Sequence, residues 1–148
     1  MSKQEEAGLI LKLYELRRDE TMRKARDWFF RDFHPESLAG VNDTMLGEHS
    51  AHLRMVMSYW EMAATLVAHG AIDAKLFNDA NSEHLTVFAK LQPLLSEIRS
   101  SYGAYFTVNL EKLVTETPGA QERLEAVRGR MEGIKAQLKE RASSAAQS

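Results

Sequence analysis

Two histidines, His49 and His52, lie three positions apart in a segment of helical periodicity. Side chains three apart on a helix are neighbours, so the two rings could together donate two nitrogens to zinc or iron. A protein site for these metals needs three or four ligands, and His84, Glu83 or Asp79 are the candidates for the third. The pair differs from the zinc-protease motif, whose histidines stand four apart. The spacing favours an ordinary interpretation, with one histidine at the edge of the core and the other in solvent.

Glu61 and Arg99 form a second candidate pair, because each lies on the flank of an apolar helical stripe. If their two helices pack antiparallel, both side chains reach the rim of the core, where a charge needs a partner. We therefore predict a structural ion pair between Glu61 and Arg99. A functional carboxylate with a perturbed pKa is the alternative interpretation of Glu61.

Basic residues are frequent in the N-terminal segment. They are Arg17, Arg18, Arg23, Lys24, Arg26 and Arg31. Acidic residues are interleaved with them, and mixed signs at helical spacing are typical of a solvated face with intrahelical pairs. The net charge of the chain is −2, which argues against a dedicated nucleic-acid-binding protein.

The same segment contains four large rings that cannot all face one side of a helix. They are Trp28, Phe29, Phe30 and Phe33. We expect most of them in the core, which is the usual place of aromatic side chains. Phe30 points away from the others, so a second element or an interface is expected to cover it.

The elements that must position these residues are helices. Apolar residues recur at helical spacing along almost the whole chain, and no segment shows the alternation of a strand. We predict an all-α bundle of five main helices and one short connecting helix. The predicted ranges are 4–33, 42–69, 73–78, 82–102, 105–116 and 118–142. Gly70 and Gly103 should end two of these helices, and Pro93 should kink the one that contains it.

The last predicted helix carries a narrow apolar seam. Its members are Leu124, Val127, Met131, Ile134 and Leu138. The spacing of three and four is the heptad pattern of helices that pack along one line. Because a single amphipathic helix is marginal in water, the seam either docks on the rest of the chain or pairs with another chain. We therefore divide the sequence into a helical domain, 1–117, a C-terminal helix, 118–142, and a disordered tail, 143–148.

A set of short motifs spans about half the chain. They are Tyr59-Trp60-Glu61, Gly70-Ala71-Ile72-Asp73, Leu76-Phe77, then Phe88, Leu91, Pro93 and Ile98-Arg99. Together they resemble a small bacterial all-helical family of unknown function, domain of unknown function 4760. The resemblance implies an all-helical fold and no particular activity. Members often carry an N-terminal membrane helix, which this sequence lacks.

Composition limits the class of protein. The chain has 148 residues and no cysteine, which excludes disulfides, thiolate catalysis and cysteine-bound metals. No window approaches the roughly 18 apolar residues of a membrane span, and the N-terminal apolar run is too short for a signal peptide. We predict a cytoplasmic protein of about one domain.

Motifs that would establish catalysis are not recognisable: there is no nucleophile beside a base, no glycine-rich phosphate loop and no acidic metal cluster. The sequence favours a non-enzymatic protein-interaction or scaffold module without a cofactor or nucleic acid. Its partner is expected to be a second copy or another protein, bound through the last helix. The alternative is a metal-binding or metal-dependent hydrolytic helical protein that uses His49 and His52.

Overall fold

The computed structural model describes residues 2–147, and within them it contains helices and no strands. The helices are α1 (Lys3–Arg17), α2 (Glu20–Arg31), α3 (Leu38–Leu46), α4 (Ser50–Ala68), α5 (Ala74–Ala80), α6 (Glu83–Leu91), α7 (Leu95–Tyr102), α8 (Val108–Thr115) and α9 (Ala120–Gln147). A short 3₁₀ turn, Gln92–Leu94, joins α6 to α7. The predicted all-α class is confirmed, but the chain divides into more helices than the five main and one short helix predicted.

The first predicted helix is two helices, because Asp19 begins a new one. Its carboxylate accepts hydrogen bonds from the backbone N–H groups of Thr21 (3.1 Å) and Met22 (3.3 Å). These N–H groups have no partner within α2, so an N-cap aspartate satisfies them. The break near Glu20, where the apolar stripe is interrupted, is therefore a cap and not a weak point in one long helix.

The second predicted helix is also divided, here at Gly47. Ser37 caps α3 by accepting a hydrogen bond from the backbone of Gly40 (3.3 Å). α3 ends at Gly47, where a Cβ would lie 2.9 Å from the carbonyl oxygen of Asp43. A side chain would collide with backbone at this position, so the close turn that separates α3 from α4 needs a glycine.

The other predicted boundaries agree with the structure more closely. Gly70 (φ +79°) and Gly103 (φ +124°) follow the ends of α4 and α7. Asp73 caps α5, with its carboxylate 2.9 Å from the backbone nitrogen of Leu76. Pro93 does more than kink its helix, because the 3₁₀ turn around it separates α6 from α7.

The core is centred on α4. Its buried side chains include Trp60, which is almost fully enclosed. α4 packs against α2 on one side and α8 on the other, while α6 packs against α8 and α9. α1 is attached through the buried Glu6, whose carboxylate accepts a hydrogen bond from the backbone N–H of Asp73 (2.8 Å).

α9 continues as a helix through Gln147, beyond the predicted end near Ala142. The predicted disordered tail is thus helical over 143–147, and Ser148 lies outside the described residues. Ser143 to Gln147 contain two alanines and no glycine or proline, so nothing local stops the helix. From residue 2 to residue 147, every helix is too short or too polar to span a bilayer.

Candidate functional site

His49 and His52 stack at the start of α4 and belong to an aromatic cluster. Their ring centroids are 5.6 Å apart, and the ring of Trp28 stacks on His49 at 5.0 Å. The Nδ1 atoms of both histidines are buried without a hydrogen-bond partner. Within residues 2–147, no group of three or more His, Asp or Glu side chains lies close enough together to hold a metal ion. The two histidines therefore have aromatic neighbours and no third ligand there.

The residues considered as third ligands have other partners. His84 lies against Trp60 and Phe77. Glu83 forms an ion pair with Arg26 (2.7 Å). Asp79 binds Lys75 (2.8 Å), one turn away on α5.

Glu61 and Arg99 each bind the segment that leads into α8, and not each other. The Glu61 carboxylate accepts hydrogen bonds from the backbone N–H groups of Asn109 (3.2 Å) and Leu110 (2.8 Å). The N-cap residue Thr107 is left-handed (φ +51°) and makes no side-chain cap, so Glu61 supplies the missing acceptors. The sequence predicts both residues at the rim of the core, but it does not indicate that the N-terminus of α8 lies beside them.

Arg99 holds the same turn through different groups. Its Nε donates to the carbonyl oxygen of Phe106 (3.0 Å), and its guanidinium forms an ion pair with Glu111 (3.0 Å). The predicted Glu61–Arg99 pair is thus replaced by two separate contacts to the segment 106–111. Both side chains thus hold the turn that leads into α8, Glu61 through backbone N–H groups and Arg99 through a carbonyl oxygen and Glu111.

The basic residues of α1 and α2 are mostly in solvent, as predicted. Lys24 pairs with Glu20 (3.3 Å), and Arg31 pairs with Asp27 (3.0 Å), each one helical turn away. Arg17 and Arg26 are half-buried, and Arg26 reaches Glu83 on α6 with two of its nitrogens. The hydrogen bond to Glu83 raises the pKa of Arg26 above its usual value.

Three of the four aromatic rings of α2 and the following turn are in the core. Trp28, Phe29 and Phe33 are buried. Phe30 is half-buried, and one side of its ring faces a groove between α2, α6 and α9. The expectation that Phe30 differs from its neighbours is confirmed, and the groove is the feature that it borders.

The seam of α9 is buried at one end and exposed at the other. Leu124 and Val127 are 1% and 3% exposed, and they pack with the core of the protein. Met131 is half-buried, whereas Ile134 is 55% exposed. We call residues 120–131 the docked half of α9 and residues 132–144 the free half. Apart from Leu138, every residue of the free half is exposed.

The groove along α9 has a volume of about 420 Å³. Its apolar lining combines Phe30 of α2 with seam residues Val127, Met131, Ile134 and Leu138. From Val127 to Leu138 the helix rises by about 16 Å, which is the length of three helical turns. The groove therefore has an elongated apolar lining that runs from the docked half into the free half of α9.

Lys90 is the positive centre beneath this groove. Its ammonium group donates hydrogen bonds to the carbonyl oxygens of Phe29 (2.6 Å), Phe30 (3.3 Å) and Phe33 (2.9 Å), where α2 ends. Within the described part of the chain, no carboxylate pairs with it at ion-pair distance. Burial and the nearby charge of Lys135 lower the pKa of Lys90 to about 8.

His34 lies within reach of the same positive charges. Burial lowers the pKa of its ring, and the charges of Lys90 and Lys135 lower it further. Lys90 is not among the residues predicted from the sequence to form a site. The signal in the sequence is one cation within the apolar run 87–91, whose burial would require acceptors.

A second buried polar network lies under the docked half. His84 is fully buried and hydrogen-bonds through Nε2 to Oδ1 of Asn78 (2.9 Å). The amide of Asn78 donates to the hydroxyl of Thr117 (3.1 Å), which donates to the carbonyl of Leu113 (2.7 Å). Burial lowers the pKa of His84 to about 4, so the ring is neutral at pH 7.

Comparison with known proteins identifies a family and no relative of established activity. No curated protein and no solved structure is significantly similar to this chain. The family model described as a domain of unknown function, DUF4760, matches residues 4–117. The match runs from the first turn of α1 to the turn after α8, so α9 lies beyond it. Because the model covers most of the chain, this protein belongs to the DUF4760 family, as its motifs suggested.

Proposed function

We propose that this protein is a non-enzymatic protein-interaction module that binds a helix along the exposed part of its last helix. The observation that carries the proposal is the division of one continuous seam. Leu124 and Val127 are buried in the core, and Ile134, on the same line of the same helix, is 55% exposed. An apolar line that continues beyond its own docking site is typical of a helix that packs on a partner.

Energetics support this proposal. Burying one large aliphatic side chain contributes about 1.5–3 kcal/mol. A partner that covers Ile134 and completes the burial of Met131 and Leu138 would gain part of this energy from each of the three side chains. The groove beside these residues adds the half-buried ring of Phe30 to the same surface. Helix-in-groove recognition uses anchors with this spacing.

The composition is compatible with the cytoplasmic location predicted from the sequence, since a chain without cysteine needs no oxidising compartment. The alternative function, metal binding or hydrolysis at His49 and His52, gains no comparable observation. The ring of His49 stacks on Trp28 at 5.0 Å, and the ring of His52 is tilted against Trp28 at 6.1 Å.

The test uses the full chain and three synthetic helical peptides of three heptads each. All three peptides have leucine at the seam positions, and they differ in having glutamate, glutamine or lysine at the flanking positions. Binding is measured by fluorescence anisotropy, below the concentration at which the peptides self-associate. Light scattering on the chain alone measures pairing with a second copy.

The proposal expects binding of at least one peptide, or a dimer, and expects that the double variant Ile134→Ser/Leu138→Ser weakens it at least tenfold. Ala136→Ser, on the outer face of the same turns, is the matched control and should bind as the unchanged chain does. If the unchanged chain is a monomer that binds none of the three peptides, the proposal is wrong.

A further inference from the structure

The flanks of the α9 seam carry charge of one sign. In the heptad register set by Leu124, Val127, Met131, Ile134 and Leu138, the positions beside the seam are those that face a partner helix. These flanking positions are Arg123, Arg128, Arg130, Lys135 and Gln137. Four of the five are cations and none is acidic.

The acidic residues of α9 occupy the outer face instead. They are Glu122, Glu125, Glu132 and Glu140. None of these positions adjoins the seam in the heptad register. Between residues 122 and 138, the cations of α9 thus flank the seam and the carboxylates lie on the outer face, and two of these cations, Arg130 and Lys135, line the groove.

The opposite wall and floor of the groove repeat this charge. Arg31, which also pairs with Asp27 (3.0 Å), lines it from the α2 side, and Lys90 lies on α6. The single carboxylate in the lining, Glu83, is already paired with Arg26. The groove therefore presents an apolar line between positive flanks, with no free carboxylate among the residues that line it.

We propose that the partner of this groove is an acidic amphipathic helix, with apolar residues on the seam of α9 and carboxylates against Arg130, Lys135 and Arg31. This inference rests on the proposed function, and it names the chemistry of the partner. Helices that pack along a heptad seam select their partners by the charges beside the seam.

A second copy of this chain fits the same surface poorly. In a parallel pair Arg130 of one copy would face Lys135 of the other. In an antiparallel pair the flanks again place cation against cation, because both flanks of the seam are basic. Like charges across such an interface oppose pairing, so the charge pattern selects against self-association and for an acidic helix.

The experiment compares the three peptides defined above on the full chain at low salt. The glutamate peptide should bind about tenfold tighter than the glutamine peptide, from about three favourable charge pairs, and the lysine peptide should bind most weakly. Raising the salt to about 1 M should remove most of this preference, because the flanking charges are exposed to solvent and become screened.

Charge reversal supplies the decisive variant. Arg130→Glu/Lys135→Glu should reverse the order, so that the lysine peptide binds tighter than the glutamate peptide. Lys139→Glu, on the outer face, should leave the order unchanged. All three positions are exposed, so the variants should keep the fold, which circular dichroism and the melting temperature verify.

Several outcomes would overturn this inference. Equal binding of all three peptides, or a dimer of the chain alone, would leave the interaction function standing and refute the acidic partner. Palmitate that binds the groove and displaces the glutamate peptide at lower concentration than the peptide itself would identify a fatty-acid site instead. Absence of any binding would refute the proposed function as well.

Discussion

The docked and free halves of α9 have the same apolar spacing and different surroundings. Leu124 and Val127 pack into the core, and Ile134, on the same seam, is 55% exposed. The seam is continuous, so the local sequence offers no boundary between the two halves. The difference arises from the surrounding elements, because α6 and α8 pack against α9 and only the first part of its seam is buried. Periodicity thus predicts which face of a helix is apolar, and the surrounding elements decide how much of it is buried.

The surfaces near the two halves differ in charge as well. Near the docked half lies His84, which is neutral and tied through Asn78 to Thr117. Lys90 lies beside the free half, which contains Lys135, and the charges of both lysines lower the pKa of His34. A neutral, fully packed surface suits permanent docking within the chain, whereas a positive and incompletely covered groove suits a partner that binds and leaves.

The largest expected effect is on stability, and it comes from removing α9. A chain that ends after Thr117 loses Leu124 and Val127, and we expect it to lose about 4 kcal/mol of unfolding free energy. A chain that ends after Gly133 keeps both residues and should change by less than about 0.5 kcal/mol. Urea unfolding followed by circular dichroism measures both. Equal losses would mean that the free half is also part of the core.

A single substitution in each half makes the same comparison without truncation. Leu124→Ala should lower the unfolding free energy by about 3 kcal/mol, because it leaves a cavity in the packed core. Ile134→Ala should change it by less than about 0.5 kcal/mol, since the side chain is mostly in water. A cost of 2 kcal/mol or more for Ile134→Ala would contradict the division into halves.

Acid should lower the unfolding free energy through His84, which lies near the docked half. The folded state lowers the pKa of His84 to about 4, whereas an unfolded histidine has a pKa near 6.5. Between these values the unfolded chain binds the additional proton, so stability is present above pH 6.5 and is lost as the pH falls toward 4. At pH 5 the loss from His84 should be about 2 kcal/mol.

Unfolding curves at pH 7 and pH 5 test this prediction. His84→Asn should remove most of the difference between them, and His34→Gln, beside the free half, should remove less, because His34 is only half-buried. The same pH dependence in the His84 variant and in the unchanged chain would show that another group is responsible.

The smallest effect concerns the charges of the groove. Lys135→Gln should raise the pKa of Lys90 above about 8, because it removes a neighbouring positive charge. Stability should change by less than about 0.5 kcal/mol, since Lys135 is exposed. NMR titration of the lysine Cε resonances measures the pKa, and Lys139→Gln is the matched control. An unchanged Lys90 pKa would show that the two amines do not interact.

Local signals determined much of the fold. Asp73 begins α5 and Gly70 ends α4 where the sequence predicts, because a cap and a positive-φ glycine act on adjacent backbone groups. Asp19 and Gly47 carry similar signals, but the predicted helices 4–33 and 42–69 continue through them. The error came from following apolar periodicity across a cap, since two helices that pack on the same core can continue one stripe.

The candidate site was less predictable, because its contacts join residues far apart in the chain. Lys90 binds carbonyl groups at 29, 30 and 33, and Glu61 binds backbone at 109 and 110. Each contact satisfies a helix end that only the packing brings near. A sequence shows that a buried charge needs partners, but it does not show which helix terminus supplies them.

The sequence by itself determined the helical class, the family, the apolar seam of α9 and the sorting of charges around that seam. These properties follow from residue type and spacing along one helix, which are local. Only the tertiary structure decided where the seam is buried, that Glu61 and Arg99 bind the α8 segment separately, and that Lys90 lies beneath an open groove. These contacts depend on how the helices pack together, and the packing of segments that are far apart in the chain is set by the whole core.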